Sequence, residues 1–154
     1  MRMDFKKLSF CNFVFAAVAV SVLEMSLIIA GVVSPLSEMS AANNAFSLLM
    51  ILLFFAAGWN FSGDKLKESV GKGAVMSFVA YAVVVIGVCA GRALGRPTLG
   101  VFVPSQDALY MLLLANIFVN VVLGALFVSL GAFAGRRFKR GKPSKHTTRS
   151  RTRR

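Results

Sequence analysis

The chain has 154 residues, of which 56% are hydrophobic and 16% charged, and its formal charge is +12. Ten of the 18 basic residues lie from Arg136 onward, while all six acids lie before it, so the body is nearly neutral and strongly apolar. That distribution excludes an ordinary soluble domain, whose surface carries charge throughout at about 25% of its residues. It points to an all-α, polytopic integral membrane protein of one domain, residues 1–135, followed by a basic tail, residues 136–154.

The first predicted span covers residues 8–32, within "LSFCNFVFAAVAVSVLEMSLIIAGVV", where the only charge is Glu24. A bilayer's hydrocarbon core is about 30 Å thick, so a helix rising about 1.5 Å per residue needs about 20 apolar residues to cross it. This run exceeds that requirement. A basic start (Arg2, Lys6, Lys7) and a small-residue stretch near residues 40–42 also fit a secretory signal. The apolar run is far longer than the roughly 7–15 residues of a signal core, and it contains Glu24, so a retained helix is expected.

Glu24 is the one acid inside a span. It sits roughly 25 Å along an ideal helix from Lys7, and a charge at that depth is costly unless paired or wetted. Three readings follow, the plainest being a lone Glu24 exposed to water. An ion pair with Arg92 or Arg96, at the far end of the third helix, would fasten two helices together. Alternatively, Glu24 is a proton or cation site on a path lined by Asn116 and Asn120.

The second predicted span, residues 41–61, carries no charge and ends near Trp59. The stretch "DKLKESVGK" that follows reads as a charge-balanced turn. The third span, residues 73–94, contains "GVCAG" (Gly87 and Gly91) and places Gly73, Ser77, Ala80 and Val84 on one line. The fourth, residues 108–135, carries Asn116, Asn120, Gly124, Gly131 and Gly135 on a single helical face. Lipid gives little hydrophobic drive for helix association, so small residues that allow close approach hold such bundles together. Gly87, Gly91, Gly124, Gly131 and Gly135 are therefore expected at helix contacts within a four-helix bundle, with a homodimer seam as the alternative. Cys11 and Cys89 lie at different heights, too far apart for a disulfide, and are expected to fill gaps as small apolar residues.

Charge between the spans sets orientation. Arg2, Lys6, Lys7, Lys65, Lys67, Lys72 and the ten tail residues fall on one side, against Arg92 and Arg96 on the other. The positive-inside rule then places both termini in the cytoplasm, in the cell membrane, with Trp59 at the inner and Tyr110 at the outer boundary. The tail, rich in Gly, Pro and Ser, is expected to be disordered. Its leading cations (Arg136, Arg137, Lys139, Arg140, Lys142 and Lys145) are candidates for contact with anionic lipid headgroups. Contact with nucleic-acid phosphate is the weaker alternative.

Catalysis has no constellation to support it. The one histidine, His146, lies in the tail, so no Ser/His/Asp set and no histidine ligand for a haem or metal is available in the body. No cofactor is expected. In "GRALGRPTLG", Arg92 and Arg96 read as charges capping the third helix. The expectation is a non-enzymatic scaffold or accessory subunit, alone, self-paired or within a larger membrane complex. The alternatives are a small transporter or channel subunit acting through Glu24 and the Asn116/Asn120 face, and a tether for ribosomes or nucleic acid.

Overall fold

The computed structural model describes residues 9–38, 40–99 and 105–140, which form four helices and no strand. These are α1 (Phe10–Ile29), α2 (Ala41–Asn60), α3 (Leu66–Ala93) and α4 (Gln106–Arg140). All four are long and apolar enough to cross a membrane. Their lengths of 20, 20, 28 and 35 residues correspond to about 30, 30, 42 and 52 Å.

The helix ends differ from the expected boundaries for local reasons. Helix α3 starts seven residues earlier than expected, because the polar turn itself is helical: the Glu68 carboxylate accepts the Lys65 backbone N–H at 3.3 Å, and the Ser69 hydroxyl donates to the Lys65 carbonyl. An acid in the first turn also complements the helix dipole. Helix α2 is capped by Ser40, whose hydroxyl accepts the Asn43 N–H at 3.1 Å, and Ser105 caps α4 through the Ala108 N–H. Helix α4 continues through residues 136–140, which were expected to be disordered. Residues 141–154, the rest of the expected tail, lie outside the described residues. At the other end of α3 the chain reverses at Gly95, whose φ of +67° suits a residue without a Cβ.

The helices form a ring in the order α1, α3, α4, α2, with α1 also touching α2. Consecutive α2 and α3 scarcely meet. The start of α1, the α2–α3 turn and the end of α4 lie at one end of the bundle (the tail end). The α1–α2 and α3–α4 connections lie at the other (the far end).

Close approach between α4 and its neighbours depends on glycine. A Cβ on Gly58 would lie 1.9 Å from the Val128 carbonyl oxygen, and one on Gly131 would lie 2.1 Å from that of Phe55. Gly73 and Gly124 play the same part between α3 and α4, where the Ser77 hydroxyl donates to the Asn120 carbonyl at 2.6 Å. Gly135 sits against Ser62 and Trp59 of the α2 end, and Gly87 against Met25 of α1. Gly91 is different: it touches Thr98 of its own following loop, not another helix. Gly87, Gly124, Gly131 and Gly135 thus lie against another helix, and Gly91 does not.

Small and polar residues such as Ala17, Ser21, Ala57, Ser69, Ser77 and Ala80 are buried, while Phe15, Leu48, Leu52, Phe78, Ile86 and Phe118 face outward. This is the reverse of a soluble protein's preference. Cys11 and Cys89 are also exposed, so neither fills an internal gap as expected. Their helices turn these positions away from the ring, and larger residues nearby (Phe13, Val88) occupy the interior.

Candidate functional site

Two apolar clusters occupy the bundle at different heights. One, toward the tail end, joins Phe13, Ala17, Phe54, Ala57, Met76, Ala80 and Val128. The other, toward the far end, joins Met25, Ile28, Val88, Leu109 and Leu113. Beside and between them is a cavity of about 500 Å³ that receives side chains from all four helices. That volume is within the range of small-molecule sites.

The cavity contains the residues that matter chemically. Ser21 and Glu24 come from α1, Ser47 from α2, Ser77 and Tyr81 from α3, and Asn116 and Asn120 from α4. The spacing explains how α4 delivers its pair: residues four apart lie one above the other on a helix face. Each amide is then oriented by its own backbone. Asn116 Nδ2 donates to the Leu112 carbonyl at 2.9 Å, and Asn120 Nδ2 donates to the Asn116 carbonyl at 2.8 Å. Their Oδ1 atoms are left as acceptors. Phe54 and Phe127 bound the cavity toward the tail end.

At the far end the two connections form its roof. The Leu36 N–H donates to the Thr98 carbonyl at 3.0 Å and the Ser37 N–H to the Leu99 carbonyl at 3.2 Å. Leu36, Ser37 and Leu99 also line the cavity. The α1–α2 connection is held by Asn43, whose Nδ2 donates to the carbonyls of Pro35 and Glu38 at 2.9 Å and of Ser34 at 3.3 Å. The lateral openings are uneven. The lining residues from α1 and α3 include the buried Ser21, Ser77 and Ala80, whereas Ser47 and Ile51 of α2 and Leu112 and Leu123 of α4 are exposed. The cavity is therefore open on its α2–α4 side.

Of the candidates read from sequence, Glu24, Asn116 and Asn120 come together here and Arg92 and Arg96 do not. Both arginines are exposed beyond the cavity, and among the described residues no ion pair joins either to Glu24. The expected Glu24–Arg92 or Glu24–Arg96 fastening is absent, because Glu24 turns toward the interior and Arg92 toward the periphery. Among the described residues, a salt bridge forms instead between Lys72 and Asp64, 2.5 Å long, at the tail end. Lys72 also lies 4.2 Å from the centroid of the Phe61 ring. Ser47, Ser77 and Tyr81 were not singled out as cavity residues in the sequence. Serine and tyrosine are ordinary constituents of apolar helices, and only the ring order of the helices brings these three to one space.

At the tail end, the Arg136 side chain is engaged within the bundle. Its Nε donates to the Ser62 carbonyl at 3.0 Å and its guanidinium to the Asp64 carbonyl at 2.5 Å, which ties α4 to the α2–α3 turn. The same region holds Trp59 between Phe55 and Phe138, with ring centroids 6.4 and 5.4 Å away. Arg137 is exposed and remains a candidate for lipid contact; Lys142 and Lys145 lie outside the described residues.

No protein-family model matches the chain, and neither a curated protein nor a solved structure is similar to it at a significant level.

Proposed function

We propose that the chain is an integral membrane protein whose bundle binds a small solute in the Glu24 cavity and carries it across the bilayer, as a small transporter or the solute-binding subunit of a larger assembly. The observation that carries this reading is the convergence of Glu24, Asn116 and Asn120, from opposite sides of the ring, on one cavity about 500 Å³ in volume. A scaffold needs packed helices and has no use for a carboxylate among them that, among the described residues, has no ionic partner. In a membrane span such a group is costly and commonly marks a substrate or ion path. The outward-facing Phe15, Leu48, Phe78 and Phe118 support lipid as the surrounding solvent.

The basic tail supports a second reading that is compatible with the first. Arg137 and the cations beyond it would contact anionic headgroups, each contributing about 1 kcal/mol near the surface, and set both termini in the cytoplasm. A protein or nucleic-acid partner is the other occupant such a tail could hold.

Proteoliposomes containing the purified chain and a trapped pH dye test the transport reading. A panel of cationic, neutral and anionic solutes is added outside under an imposed proton gradient. At least one solute should give a flux above that of empty liposomes, and Glu24→Gln should remove it. Flux indistinguishable between the wild type and Glu24→Gln, or none from any solute, would overturn the proposal.

A further inference from the structure

We infer that the cavity takes a lipophilic ammonium ion bearing N–H donors, admitted sideways from the membrane between α2 and α4. The inference rests on the binding role just proposed for the cavity and assigns its ligand class.

Charge is the first argument. Among the described residues the lining includes one acid, Glu24, and no Lys, Arg or His. Among the described residues the Glu24 carboxylate has neither an ion pair nor a hydrogen bond. A half-buried carboxylate without a partner is costly in its charged form, so a cation beside it supplies the counter-charge that the protein does not. An anion would meet repulsion.

The second argument is the balance of donors and acceptors. Asn116 and Asn120 each place one Nδ2 hydrogen on a carbonyl one turn back, and the Ser77 hydroxyl donates to the Asn120 carbonyl. The strongest acceptors facing the space are the Glu24 carboxylate, Asn116 Oδ1 and Asn120 Oδ1, and the hydroxyls of Ser21, Ser47 and Tyr81 can accept as well as donate. They suit a ligand that donates several hydrogen bonds, which a protonated amine does and a quaternary ammonium does not. The Tyr81 and Phe54 rings add faces on which a cation is favoured.

The third argument is access. The paired connections roof the cavity at the far end, and the apolar cluster around Met76 and Val128 closes it toward the tail end. What is open is the side, between Ser47 and Ile51 of α2 and Leu112 and Leu123 of α4. That side faces lipid if the four helices span. A ligand that uses it needs an apolar body as well as a charged head, and the remaining lining (Met50, Ile51, Val84, Leu112, Leu123) is apolar to match.

The test is calorimetric binding to the full chain in phosphatidylcholine nanodiscs at neutral pH, with empty discs subtracted. The probes are dodecylammonium, dodecyltrimethylammonium, dodecanol and dodecanoate. Dodecylammonium should bind saturably and most tightly of the four. Glu24→Gln should weaken it at least ~10-fold, the loss expected for about 1.4 kcal/mol of charge interaction, while Glu24→Asp, which keeps the charge, should retain most of the affinity. Ile51→Trp, at the open side, should weaken binding without altering the helical circular dichroism. Equal affinity for dodecanol or dodecanoate, equal affinity of the wild type and Glu24→Gln, or no saturable binding would overturn the assignment. The two proposals fail separately. Ammonium binding without Glu24-dependent flux in proteoliposomes removes transport and leaves the ligand class. Flux of a neutral or anionic solute without ammonium binding removes the ligand class and leaves transport.

Discussion

Gly58→Ala and Gly71→Ala are the same chemical change, one methyl group on a helix, and they should shift stability in opposite directions. At Gly58 the added Cβ would lie 1.9 Å from the Val128 carbonyl oxygen and 2.8 Å from the Ala132 nitrogen. Both are backbone atoms of α4, so no side-chain rotation relieves the overlap. A carbon and a carbonyl oxygen come no closer than about 3.3 Å, so α2 and α4 must move apart locally by more than 1 Å. The lost contacts extend to Gly131 and Gly135, which lie against Phe55 and Trp59 of the same helix and Ser62 just beyond it. Overpacking that shifts backbone costs about 1–3 kcal/mol, and this case belongs at the upper end. At Gly71, in α3, nothing lies within 4 Å of the added atom. There the helix gains the propensity difference between Ala and Gly, about 0.5–1 kcal/mol. Equilibrium unfolding in mixed micelles, followed by helical circular dichroism, measures both. The expected result is a lower midpoint for Gly58→Ala and a midpoint equal to or above wild type for Gly71→Ala. Two equal shifts, or a Gly58→Ala protein as stable as the wild type, would refute the α2–α4 crossing.

Asn43→Leu should destabilise the far end by about 1–3 kcal/mol, because the carbonyls of Ser34, Pro35 and Glu38 lose their shared donor; faster amide exchange over residues 30–40, with Asn44→Leu as an exposed control, checks it. Arg136→Gln should release the α2–α3 turn, seen as increased exchange at residues 61–65, while Arg137→Gln, at an exposed position, should leave that exchange unchanged. Ser77→Ala should cost only about 0.5–1 kcal/mol in the unfolding assay, since hydrogen bonds between helices in lipid contribute modestly. Cys11 and Cys89 should resist a membrane-impermeant maleimide in sealed vesicles and react with a membrane-soluble one, because both are exposed on helices proposed to face lipid; labelling of both by the impermeant reagent would contradict the bilayer placement.

The four apolar helices were legible because their signal is local. Charge-free runs of the right length need no information about neighbours. The extra turns of α3 and α4 were harder to read, since Lys65, Glu68 and residues 136–140 have the composition of a solvated loop. Their helicity depends on contacts such as Arg136 to Ser62 and Asp64, which are remote in sequence. Gly124, Gly131 and Gly135 could be assigned to a packing face from their spacing, but spacing does not say which helix they meet. Gly91 carried the same motif and meets a loop.

From the residue order alone came the number of helices, their apolar character, the concentration of cations after residue 135 and the anomaly of an acid within a span. The ring order α1, α3, α4, α2 came only from the fold, because chain order does not specify which apolar surfaces meet. That order decided that Glu24 faces Asn116 and Asn120 across a cavity and that Arg92 points away. Sequence can show that a buried charge is expensive. Which groups lie within reach of it is a matter of three-dimensional neighbours, and those are set by how closely glycine-lined helices approach.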